Sequence, residues 1–137
     1  MHTIRLAGPW LLPGAPRHPL PEHRRELPAG AISDGHGGFT DLVLLRRFHR
    51  PTGLTGASVV WLRLDVAAAG AVRVVLNGES LICSSRDVVV EGQERWMFRL
   101  VGELGGFNEA EVTVEALSGL PAEPPALHAA AIVITDG

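Results

Sequence analysis

Lysine and tyrosine are absent from the 137-residue sequence, and cysteine occurs once, as Cys83. A lone cysteine excludes an intrachain disulfide, so an oxidised framework cannot hold the fold and the chain suits a reducing cytoplasm. Positive charge is also scarce: 12 basic residues, all arginine, stand against 15 acidic ones, giving a formal charge of −3 and a pI near 6.0. That balance removes the counterion release behind non-specific nucleic-acid binding and the basic patch that anionic membranes attract. No apolar run reaches the ~18 residues of a membrane span. The opening Met1-His2-Thr3-Ile4-Arg5-Leu6 lacks the charged and sustained apolar regions of a signal peptide. Nucleic acid and membrane drop out as partners, and a cytoplasmic location is expected. What remains is an ordinary globular balance, 46% apolar and 20% charged. The length fits one domain, residues 1–137, able to bury roughly 70% of its unfolded surface.

Glycine (16) and proline (10) are plentiful and imply many turns. Pro9, Pro13, Pro16, Pro19, Pro21 and Pro28 leave no room for a long helix or a central strand before Gly38. Trp10, Leu11, Leu12, Leu20 and Leu27 give this stretch apolar anchors, so residues 1–38 read as a wrap laid over a core.

Beyond it the pattern has a period of two. Val60, Leu62, Leu64 and Val66 alternate with Val59, Trp61, Arg63 and Asp65, and Val72, Val74 and Leu76 alternate with Arg73 and Val75. Asn77-Gly78 between strand patterns predicts a two-residue hairpin continuing into Ser80-Leu81-Ile82-Cys83. Further runs cover Asp87 to Glu91, Trp96 to Leu100, Glu111 to Leu117 and Leu127 to Thr135. Val66 to Ala71 is too short for a helix and reads as a tight connection. Ala126 to Ala131 runs into β-branched residues and reads as strand. The fold class is all-β, an antiparallel sandwich. Its core is expected to hold Phe48, Val60, Leu62, Leu64, Val72, Val74, Leu76, Phe98, Leu100, Val112 and Val114.

Three blocks resemble the N-terminal sugar-binding domain of family 2 glycoside hydrolases. They are Arg46-Arg47-Phe48-His49-Arg50-Pro51-Thr52-Gly53-Leu54, then Val60-Trp61-Leu62-Arg63-Leu64-Asp65, then Ala71-Val72-Arg73-Val74-Val75-Leu76-Asn77-Gly78-Glu79-Ser80-Leu81. Asn108 ahead of Val112-Thr113-Val114 is similar to the family's closing pattern, and Gly8-Pro9-Trp10 to its opening. The resemblance spans about residues 6 to 117 and implies a galactose-binding-like jelly roll without the catalytic barrel, hence no enzyme activity and no cofactor. Arg99, Val101 and Phe107 depart from the family, and the stretch between Leu81 and Phe98 is longer and lacks the loop that faces the active site.

Few residues suggest chemistry. Ser33-Asp34-Gly35-His36-Gly37-Gly38 gathers triad residue types in one loop without a nucleophile elbow, and reads as a glycine-rich turn. The histidines lack metal-ligand spacing, so no metal is expected; a loop calcium at Asp34, Asp41 and Glu115 is the weaker alternative. Cys83 reads as an inert thiol. For a sugar, Trp96 is the candidate platform, with Arg86, Asp87 and Arg95 contacting hydroxyls; core packing of Trp96 is the competing reading. Two functions follow: a carbohydrate-binding-like module, or a structural or protein-interaction subunit that has lost the sugar site. The partner is accordingly a carbohydrate or a protein, and a homo-oligomer belongs to the second reading.

Overall fold

The computed structural model describes residues 1–100, 104–117 and 123–136. Twelve strands run in chain order: β1 (His2–Arg5), β2 (Trp10–Leu11), β3 (Arg24–Arg25), β4 (Ala29–Gly30), β5 (Leu42–His49), β6 (Ser58–Ala67), β7 (Ala69–Leu76), β8 (Glu79–Ser80), β9 (Cys83–Val90), β10 (Gln93–Arg99), β11 (Phe107–Ala116) and β12 (Ala126–Asp136). Among the described residues the helical content is one 3-10 turn at Pro21–His23. One sheet has the order β1-β12-β6-β10-β9, with β4 added to β12; the other has the order β3-β2-β5-β11-β7-β8. All pairings are antiparallel. The two sheets pack as a sandwich around one apolar cluster.

Period-two alternation set the faces correctly. All eleven residues expected inside are buried, with Leu64 and Val114 at 0% exposure. Asn77 and Gly78 both have positive φ, 49° and 85°, and turn β7 into β8 as the dipeptide predicts. Strand β8 stops after two residues, however, and Cys83 begins the next strand instead of continuing the hairpin. The tight connection expected within Val66 to Ala71 is a single residue: Ala68, at φ 53°, carries the chain from one sheet to the other. Val101 lies outside the described residues.

The N-terminal segment is woven into both sheets. Trp10 is fully buried and its indole Nε1 donates to the Leu6 carbonyl at 2.6 Å. Two adjacent arginines of β5, on opposite faces of the strand, grip the wrap. Arg46 turns inward and donates from Nη2 to the Gly8 carbonyl at 3.3 Å. Its burial pushes the guanidinium pKa down, and Glu26 opposes that shift. Arg47 turns outward and donates to the carbonyls of Ala15, Pro16 and Arg17 and to the carboxylate of Glu109. Leu20, expected as an anchor, is 54% exposed because the chain around it turns away into the 3-10 turn. Asn108, buried at the start of β11, accepts from Asn77 Nδ2 and Gly105 N and donates to the carbonyls of Phe48 and Gly105. Its amide is saturated, which is what burial of that group requires.

Candidate functional site

The four residues expected to read a sugar lie on β9 and β10 and are divided between the two faces of their sheet. Trp96 is opposite Arg86 in register, and Arg95 opposite Asp87; neighbouring residues of a strand point to opposite sides. Trp96 shares its face with Phe98, the rings stacked at 6.4 Å and 13°, and is 7% exposed within the core cluster. The Arg86 guanidinium lies over the Trp96 ring, 4.7 Å from its centroid, and so covers a face of the ring. This arrangement corrects the picture of Trp96 as an open sugar platform. The parity of Trp96, Phe98 and Leu100 explains it, because two of these three were already assigned to the core. The indole Nε1 is buried without a hydrogen-bond acceptor.

Both arginines are engaged in ion pairs through Nε and Nη2. Arg86 binds Glu94 in bidentate fashion, Nε to Oε2 at 2.6 Å and Nη2 to Oε1 at 3.0 Å, and the carboxylate holds the guanidinium pKa up. Arg95 does the same with Asp65 at 2.8 and 3.0 Å on the outer face, with the same upward effect on its pKa. Asp87 is exposed. The site therefore comprises one aromatic inside, two self-contained ion pairs and one exposed carboxylate. Trp61, half-buried on the outer face, donates from Nε1 to Thr135 Oγ1 at 3.3 Å.

The other candidates are similarly occupied. Asp34 Oδ1 accepts the backbone N–H groups of His36 and Gly38, and Gly35 and Gly37 have positive φ, so the loop is the glycine-rich turn expected. Asp41 accepts from Ala116 N at 2.8 Å and Glu115 pairs with Arg73 at 2.8 Å. Among the described residues no three His, Cys, Asp or Glu side chains converge as metal ligands. Cys83 is half-buried, its Sγ 3.1 Å from the Ser85 carbonyl. Among the described residues no helix is long and apolar enough to cross a membrane.

One feature of the same region was not expected. None of the eight residues of β9 is buried, and its only strand partner among the described residues is β10. Three exposed apolar side chains end the strand, Val88 (75%), Val89 (40%) and Val90 (53%), and Ile82 (88%) precedes its start. Among the described residues nothing pairs with the outer edge of the strand, and its apolar end faces water. Register shifts against β10 add an extra residue in β9 near each end, leaving Ser85 to Val88 as the regular stretch. The other sheet edges among the described residues are shorter, four residues in β1 and two each in β3, β4 and β8. Short edges are one means of preventing strand addition, and β9, at eight residues, lacks that one while carrying bulges near both ends.

No protein-family model matches the chain, and comparison with curated proteins finds no match to it.

Proposed function

We propose that the chain is a non-catalytic protein-interaction module that works through β9. The observation that carries this reading is the run of exposed Val88, Val89 and Val90 at the end of a strand that has no second strand partner among the described residues. Contiguous exposed apolar surface beside unpaired backbone groups marks a place where another chain adds. The sugar-reading alternative has no exposed aromatic platform at Trp96, which packs inside. A jelly-roll, galactose-binding-like form of the sandwich belongs to the same proposal. It is supported by the resemblance blocks and by a chain that alternates between the sheets along β5, β6 and β7 and again along β10, β11 and β12.

A labelled eight-residue peptide of alternating valine and threonine tests the module as a strand acceptor. Fluorescence anisotropy should report binding that Val88→Lys weakens by about tenfold or more, because edge lysines block strand addition. Absence of peptide binding, or a defined glycan bound on an array and lost on Arg86→Ala, would overturn the reading.

A further inference from the structure

We infer that the outer face of the β1-β12-β6-β10-β9 sheet carries a binding site for a small phosphate monoester, between Arg5 of β1 and Arg63 of β6. The site is independent of β9, which lies at the other side of that sheet. Its geometry follows from register. Arg5 and Arg63 both pair with Ala131 of β12, so the three residues stand side by side in one row. All three project outward, since Ile4, Leu62, Leu64, Ala130 and Ile132 next to them pack in the core. Neighbouring strands lie ~4.8 Å apart, so the two arginines start about 10 Å from each other with only a methyl group between them. A recess of about 270 Å³ opens there, and its lining combines Arg5, Arg63 and His128 with Ala7, Leu27 and the alanines of β12. His128 is the extra residue of a bulge between Leu127 and Ala129 in the pairing with β6.

The positive charge of this recess is uncompensated. No acid lines it among the described residues, and neither Arg5 nor Arg63 takes part in an ion pair there. The one acid adjacent to Arg63 on this face is Asp65, and its two oxygens already accept from Arg95 at 2.8 and 3.0 Å. Two guanidinium forks standing together without a counter-charge are complementary to a dianion with several oxygens. A carboxylate offers one charge and two oxygens, whereas a phosphate monoester carries about −1.5 to −2 at pH 7 and three acceptor oxygens. The apolar part of the lining would cover the organic group of the ester. The volume lies just below the ~300 Å³ at which small-molecule sites begin, which limits the ligand to a small one.

Titration calorimetry of the full chain with phenyl phosphate tests the site, at about 0.15 M salt so that charges more than ~8 Å apart are screened. A Kd near 1 mM or below is expected. Inorganic phosphate lacks the ring and phenylacetate lacks the second charge, so each should bind about tenfold more weakly. Arg5→Gln and Arg63→Gln each remove a charged donor and should weaken phenyl phosphate binding about tenfold, with an unchanged melting temperature as the folding control. Arg5 is exposed, so Arg5→Gln carries the test even if Arg63→Gln lowers stability. Ala129→Leu, at an exposed position, fills the recess without changing its charge and should weaken binding likewise. Arg17→Gln makes the same charge change over the other sheet and should leave affinity within about twofold.

Absence of binding up to about 10 mM phenyl phosphate, tenfold above the expected Kd, would overturn the inference. Phenylacetate or inorganic phosphate binding as tightly as the ester would overturn the ligand class. An equal loss from Arg17→Gln and Arg5→Gln would show diffuse surface attraction and overturn the site.

Discussion

Segment 1–38 is rich in proline and supplies only strands of two to four residues, yet it places Trp10 and Leu6 in the core and is tied to β5 by Arg46 and Arg47. Strand β9 runs for eight residues and ends in three valines, and none of the eight is buried. The contrast separates regularity from integration. A segment belongs to the fold through the apolar side chains it buries and the backbone groups it satisfies, and both are properties of its neighbours. β9 satisfies one edge and contributes little to the core; the wrap satisfies carbonyls of Ala15, Pro16 and Arg17 through a single side chain.

Three substitutions would break or sharpen this contrast. Trp10→Ala empties a fully buried position and should cost about 3 to 5 kcal/mol in urea unfolding. A loss below about 1 kcal/mol would mean the wrap is not part of the core, since that is the scale of a surface change. Arg47→Ala removes a charged donor from three carbonyls and should cost about 1 to 3 kcal/mol. It should also speed proteolytic cleavage within residues 1–38 relative to the rest of the chain; an unchanged cleavage pattern would show that other contacts suffice. Val90→Thr, at an exposed position of β9, should change stability by no more than about 0.5 kcal/mol. A larger fall, measured under the same conditions, would place β9 with the wrap as a contributor to stability.

The same contrast separates what could be read in the sequence from what could not. The rows Val60 to Val66 and Val72 to Leu76 were legible because a sheet with one buried face imposes strict alternation, and Ala126 to Ala131 because β-branched residues follow it. Asn77-Gly78 was legible because its turn needs two residues that tolerate positive φ. The two-residue strands β2, β3 and β4 were not, since so short a pairing is set by what the chain meets and not by local preference. Trp96 could have been assigned inward from its parity with Phe98 and Leu100, and Arg95 outward opposite Asp65. The openness of β9 had no local signal: Val88-Val89-Val90 reads as buried strand, and an edge position is decided by the order of strands in the sheet.

That order has a consequence for how the molecule is made. β12, the last strand of the chain, lies between β1 and β6, and its register sets His2 beside Ile134 and Ile132 beside Leu62. Until it emerges, β1 and β4 have no partner and one side of β6 is bare. Contacts between strands so far apart in sequence are slow to form, because the whole intervening length must first be confined. On a ribosome adding about 5 to 20 residues each second, the first strand waits several seconds for its neighbour. The sheet therefore closes only after β12 has emerged, and β1 settles long after it is made.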